Sequence, residues 1–300
     1  MSKSKVVVTR NLVADAKYLL DARVDRLDIV QWQSDMRSWL LENVAGAAGL
    51  LVMVSGTINE ELLEAAGAQL KAVATFTAAQ ITDCLSDAVA DLAVMLALMA
   101  QRRVGKSMVS PQIRGATMGF LDFGRIPQAV LKRLIAFGIK RAIYVTSQPG
   151  KPVREDYYDL CGSGTPVDVA CDLDQMANES GLVIVGCALT PETKHVISTH
   201  FFSKMKTTAV IVNIARGPII DTNALVEALN QHPIFGAGLD VIKDEPSVAA
   251  DHPILKQPRC VVLPRIGSAT FQAREQMAIQ SVQNLLAGLT GEDMVNEWNM

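Results

Sequence analysis

The sequence predicts an α/β chain built as two doubly wound parallel-sheet lobes. Short apolar runs alternate with amphipathic segments from one end of the chain to the other, the pattern of a parallel sheet with helices on both faces. Most of these runs are continuous rather than alternating, as expected of strands covered on both sides. The 300 residues are enough for two compact lobes.

In the first part, strands are predicted over 6–9, 28–30, 49–53 and 70–74. A helix over 59–66 carries Leu62, Leu63 and Ala66 on one face, with Asn59 or Thr57 as its cap. A longer helix spans 86–102. Residues 105–114 have no apolar period and read as the crossing between lobes. The second lobe opens with a strand–helix–strand unit over 117–121, 128–137 and 141–145, and continues through strands at 181–185, 209–212, 237–241 and 260–263. The final helix, 271–289, is long enough to leave this lobe and return to the first. The predicted domains are 1–103 with 274–300, and 104–273. Residues 147–155, with Pro149, Gly150 and Pro152, form the one marked turn cluster.

Composition narrows the function. The chain is 49% hydrophobic and 20% charged, with a net charge of -3. It has no concentrated basic block, which argues against nucleic acid as a partner. The apolar stretch 92–99 is far short of the ~20 residues needed to cross a bilayer, so no membrane partner is expected. The start of the chain has no signal-peptide core, which points to the cytoplasm. Five cysteines, with no C-x-x-C spacing, indicate neither a disulfide framework nor a zinc site.

Four motifs then occur in order: Leu189-Thr190-Pro191-Glu192-Thr193; Val212-Asn213-Ile214-Ala215-Arg216-Gly217-Pro218-Ile219-Ile220-Asp221; Gly238-Leu239-Asp240-Val241 followed by Glu245-Pro246; and Leu263-Pro264-Arg265-Ile266-Gly267-Ser268-Ala269-Thr270. Together they resemble the signature set of the D-2-hydroxyacid dehydrogenases. Gln31-Trp32, the run 201–206 and the run 284–289 are similar to the glyoxylate/hydroxypyruvate reductase branch. The resemblance implies a flavodoxin-like first lobe and a Rossmann-like second lobe. It also implies hydride transfer between a nicotinamide and the substrate C2, with a histidine–glutamate pair handling the proton and an arginine holding the substrate carboxylate. Matched residue by residue, Arg216 falls on that arginine, Glu245 on the glutamate and Asp240 on the nicotinamide-side aspartate. The histidine position holds Arg265.

A guanidinium stays protonated at working pH and cannot cycle a proton. Arg265 can polarise an oxygen but not protonate it, a loss of roughly 10²–10⁴ in rate. His195, His200, His232 and His252 offer no obvious replacement. The dinucleotide loop also departs from G-x-G-x-x-G. Its six positions read Asp122-Phe123-Gly124-Arg125-Ile126-Pro127, so Gly124 alone survives. Asp122 brings a carboxylate toward two phosphates, a repulsion of about 1 kcal/mol in water and about 4 at an intermediate dielectric. Pro127 removes an N–H. After the next strand, Ser147 stands where an acidic residue would select NAD or an arginine NADP. The chain is short between Thr75 and Ser86, where the family places a substrate loop, and between Arg103 and Thr117, where relatives carry a dimerising arm.

These departures predict a degenerate, catalytically impaired or inactive member, a pseudoenzyme with no tightly bound cofactor, retained as a binding or interaction protein for a small anionic ligand or a protein partner. The alternative is an active or weakly active 2-oxoacid reductase using NAD(P)H. A third reading is an abundant structural protein on an enzyme scaffold. Glu245 and Arg265 are expected to pair in place of the catalytic dyad, leaving Arg216 to a small anion.

Overall fold

The computed structural model describes residues 3–295 apart from 34–36, 54–57, 77–83, 105–108, 149, 155, 159, 161–163 and 232. It divides into two units, Met1–Leu85 with Ala269–Met300, and Ser86–Ser268.

In the first unit, β1 (Ser4–Val8) pairs in parallel with β2 (Leu27–Gln31) and with β3 (Gly49–Met53), and β3 pairs with β4 (Ala72–Phe76), giving the order β2-β1-β3-β4. Strand β1 is central because Val6, Val7 and Val8 are apolar on both faces, and all three are fully buried. Helices α1 (Ala14–Asp21), α2 (Arg37–Val44) and α3 (Glu60–Ala66) connect the strands. Asn59 caps α3 by accepting from Leu62 N at 3.3 Å. The final helix, α9 (Phe271–Thr290), packs on β3, β4 and α1, as its length suggested.

The second unit holds α4 (Ser86–Arg102), β5 (Thr117–Leu121), α5 (Arg125–Ile135), β6 (Arg141–Val145), β7 (Val167–Val169), α6 (Leu173–Glu179) and β8 (Leu182–Val185). Beyond these come α7 (Thr199–Lys204), β9 (Val210–Asn213), α8 (Thr222–Gln231), β10 (Gly236–Leu239) and β11 (Cys260–Val262). Its seven parallel strands run β11-β10-β9-β8-β5-β6-β7. The order reverses between β5 and β8, and ligands of such sheets bind outside the carboxyl ends of the strands at that reversal. The tetrads Leu182–Val185 and Val210–Asn213 are buried at every residue, which places them at the middle of the sheet.

The structure corrects two boundaries. Helix α4 belongs to the second unit, so the division falls after Leu85 and Ser268 rather than after Arg103 and Ala273. The cause is packing: Leu96 and Ala97 are fully buried, and Arg133 of α5 bonds Asp87 at 2.9 Å and Asp91 at 2.5 Å on α4. Helix α5 also begins at Arg125, not at Gln128, so Pro127 sits in its first turn, where a missing N–H costs no helical bond.

Candidate functional site

The residues matched to the motifs and to the dinucleotide loop, except Ser147, lie at or beyond the carboxyl end of one of four strands of the second unit, or in the helix start that follows. Asp122, Gly124, Arg125 and Pro127 follow β5, Arg216 follows β9, Asp240 and Glu245 follow β10, and Arg265 follows β11. Ser147 follows β6 and is exposed.

The turn after β5 is tight despite its composition. Asp122 takes φ 74°, the left-handed region that a first glycine would occupy, and its N–H bonds Val145 O at 2.7 Å. Burial pushes its carboxyl above the usual carboxylate range, opposed by the nearby N–H groups of Phe123 and Gly124. Phe123 is fully buried and stacks on Tyr144, with ring centroids 4.5 Å apart. Pro127 stands where a third glycine would let helix and strand approach. The room comes from the strand side instead, since a Cβ on Gly186 would meet Pro127 Cγ at 2.7 Å. Gln128, fully buried, donates to Phe123 O at 2.8 Å and Arg154 O at 2.7 Å and accepts from Tyr157 N at 3.1 Å. It fastens the segment after β6 to this turn. That segment stacks Arg125 and Arg154 on Tyr157, at 4.9 and 4.7 Å, and places no carboxylate at Ser147.

The second cluster is ionic. Asn213, 1% exposed, donates to Arg216 O at 3.0 Å and accepts from Ala215 N at 3.0 Å, fixing the turn that presents Arg216. Burial lowers the Arg216 guanidinium from its ordinary value; repulsion from Arg265 adds to this and Glu245 opposes it. Glu245 Oε1 accepts from Ile242 N at 2.8 Å, and its Oε2 lies 3.8 Å from Arg265 Nη1. The expected Glu245–Arg265 pair is therefore present, though Arg265 is 47% exposed, so the pair adds little stability. Arg216 and Arg265 thus flank one half-buried carboxylate, while the second carboxylate coupled to this cluster, Asp240, is occupied by backbone amides.

Asp240 holds a turn. At 4% exposed, its Oδ1 accepts from Ile266 N at 2.8 Å and its Oδ2 from Gly267 N at 3.0 Å. The carboxylate that the resemblance would aim at a nicotinamide is engaged in holding the turn that carries Arg265. Burial raises its pKa, chiefly against these two amides.

The described histidines have local tasks. His200 bonds Asp174 at 2.9 Å, His252 Nδ1 accepts from Ile254 N at 3.3 Å, and the His195 N–H bonds Pro218 O at 2.9 Å. His232 and the shortened stretch 77–83 lie outside the described residues. No group of three or more metal-ligating side chains occurs among the described residues, and none of their helices is long and apolar enough to cross a membrane. Cys187, at the end of β8, and Cys260 are unpaired thiols pushed up by burial to about 11 and about 12.

Sequence reasoning missed Gln128, Asn213 and Gly186. Gly217 is the most constrained: a Cβ there would collide with the Ile242 carbonyl carbon. Gly217→Ala should cost about 1–3 kcal/mol or more through overpacking, because backbone cannot step aside as a side chain can. A thermal melt checks this, and an unchanged midpoint would show that the 242–243 segment yields freely.

The model of the NAD-binding domain of D-isomer specific 2-hydroxyacid dehydrogenases matches residues 86–267. The glyoxylate reductase/hydroxypyruvate reductase of Homo sapiens is 35% identical over 98% of this chain and 97% of its own length. The glyoxylate reductase of Thermofilum pendens is 32% identical over 97% of this chain and 93% of its own. Among solved structures, a protein from Thermus thermophilus superposes with a TM-score of 0.81 at 33% identity, covering 97% of this chain and 99% of that one. The NADPH-dependent glyoxylate/hydroxypyruvate reductase of Sinorhizobium meliloti, in complex with NADP and malonate, gives 0.77 at 26% identity, covering 98% and 96%.

Proposed function

Given that the chain belongs to the D-isomer specific 2-hydroxyacid dehydrogenase family, in its glyoxylate/hydroxypyruvate reductase branch, we propose that it is a slow NAD(P)H-dependent reductase of small 2-oxoacids. The observation that carries this reading is the grouping of Arg216 with the Glu245–Arg265 pair beyond the carboxyl ends of β9, β10 and β11. The expectation of an inactive binding protein gives way here to its reductase alternative, because the relatives matched along nearly the whole chain are named as reductases.

The turn after β5 fits a dinucleotide in its backbone, with Asp122 at a positive φ and amide N–H groups at Phe123 and Gly124, and it fits one in charge when the Asp122 carboxyl is neutral. A reduced nicotinamide supplies the hydride when bound. Arg216 takes the substrate carboxylate, for which a planar guanidinium offers two parallel N–H donors. Arg265 withdraws charge from the 2-oxo oxygen, and water delivers the proton, since a guanidinium cannot. Glu245 keeps Arg265 near the oxygen instead of orienting a histidine. Asp240 positions the turn on which Arg265 rides.

Turnover of glyoxylate or hydroxypyruvate, followed by the loss of reduced-nicotinamide absorbance, should therefore run about 10²–10⁴ below the ordinary enzymatic scale of about 10 s⁻¹. A second reading, a carboxylate-binding protein without turnover, is favoured by the coincidence of Arg265 and Asp122. Turnover at the level of the protein-free blank, together with thermal stabilisation by small carboxylates that Arg216→Ala abolishes, would establish that second reading and sink the first.

A further inference from the structure

We propose that Asp122 makes dinucleotide binding proton-linked: the pyrophosphate settles on the turn after β5 when the Asp122 carboxyl carries a proton, so that affinity rises as pH falls. This rests on the reading that the chain binds a nicotinamide dinucleotide.

The geometry points to this residue. Asp122 replaces a side-chain-free position at the sheet's reversal point, and its φ of 74° reproduces the tight turn. Its Oδ2 lies 3.5 Å from where a Cβ on Gly124 would be, so the carboxyl folds over the start of α5. The N–H groups of Phe123 and Gly124, which a phosphate oxygen would use, also act on that carboxyl, favouring its charged form against burial. An ionised Asp122 therefore competes with the phosphate for the same donors and repels it. A neutral carboxyl instead releases the amides and offers an O–H donor to a phosphate oxygen.

The surroundings favour the neutral form. From β8 the titratable neighbour is Cys187, whose thiol, pushed up to about 11, stays uncharged in the working range. From β6 comes Tyr144, whose hydroxyl accepts from Val153 N at 3.1 Å. Within α5, the Arg125 guanidinium lies over the Tyr157 ring at 4.9 Å, and no cation is among the groups that shift Asp122. Burial already holds this carboxyl above its usual range, and an incoming pyrophosphate raises it further by like-charge repulsion. Binding thus takes up a proton, and between the free-protein and the bound-state pKa of Asp122 the dissociation constant should rise by up to about tenfold per pH unit.

The test is fluorescence titration of the full chain with NADH and with NADPH across mildly acidic to mildly alkaline pH, on the parent, Asp122→Asn and Asp122→Gly. Asparagine suits a positive φ, keeps the shape and is always neutral. The expected result is a rising dissociation constant for the parent and a flat, tighter one for both variants. Any titration of the NADPH 2′-phosphate is common to all three proteins and cancels. Binding that is equally pH-independent in the parent, or a slope that survives in both variants, overturns the proton link while leaving the reductase reading standing. Failure of all three proteins to bind either dinucleotide at any pH overturns the reductase reading and the link together.

Discussion

Arg265→His combined with Asp122→Gly should raise turnover of glyoxylate or hydroxypyruvate by about 10²–10⁴, the usual contribution of a placed general acid. Arg265→His alone should do much less at limiting cofactor. The site is prepared for the exchange. Glu245 is already oriented by Ile242 N at 2.8 Å and presents Oε2 3.8 Å from the residue-265 side chain, so an imidazole there meets the carboxylate that would fix its tautomer and stabilise its cation. The backbone is prepared too, because Arg265 has φ 53° and histidine is among the residues that tolerate that region best. The double variant should also gain a pH dependence of kcat with a limb near the ordinary histidine pKa of about 6.5, which the parent lacks. Ordinary rates from the single substitution would show that Asp122 is no obstacle. A double variant still at background would show that the site lacks something beyond an acid and a clear phosphate turn.

Much of this architecture was legible because parallel strands buried on both faces read as unbroken apolar runs. Leu182–Val185 and Val210–Asn213 could hardly be anything else. What stayed hidden was partnership. The apolar stripe of Ser86–Arg102 announces a buried helix but not which sheet buries it, and that choice rests on Leu96, Ala97 and the Arg133 bonds to Asp87 and Asp91, none of them a periodic signal. Strand Val167–Val169 is three residues long and carries Asp168 at its centre, too short and too polar for a pattern. At the site, the motifs located Arg216, Glu245 and Arg265, and the expected ion pair formed. The same motifs did not reveal the turn-holding bonds of Asp240, because a motif records which residue stands at a position but not which donor reaches it. Gln128 escaped notice for a related reason: a glutamine in an amphipathic helix reads as surface, and only its three hydrogen bonds, with full burial, mark it as the fastener between two loops.

Asp240→Ala should cost about 1–4 kcal/mol, because it strips the acceptors from the buried Gly267 N–H and the part-buried Ile266 N–H at once, and a fully buried group left unsatisfied costs about 1–3 kcal/mol. The effect is local. Gly267 approaches so closely that a Cβ on it would lie 2.8 Å from Asp240 Oδ2, so no water fits without the turn opening. Opening that turn releases Ile266, Gly267 and with them Arg265, and turnover should fall along with stability. Asp240→Asn separates the contributions: its amide keeps one acceptor oxygen and presents a donor to the other N–H, so it should lose about half as much stability while removing the titration. The sign of that titration follows from burial, which raises the Asp240 carboxyl in the folded chain above its unfolded value. Stability from such a group is fully present below the unfolded carboxylate pKa, about 3.9, and is lost as pH rises through the folded one. The parent should therefore melt at falling temperatures as pH rises across that window, and Asp240→Asn should show a shallower fall, with the remainder due to Asp122, which burial raises in the same direction. Thermal melts of parent, Asp240→Asn and Asp122→Asn over this range measure both slopes. A parent profile that rises with pH instead would mean that the Ile266 and Gly267 amides outweigh burial and that Asp240 is held as a stabilised anion.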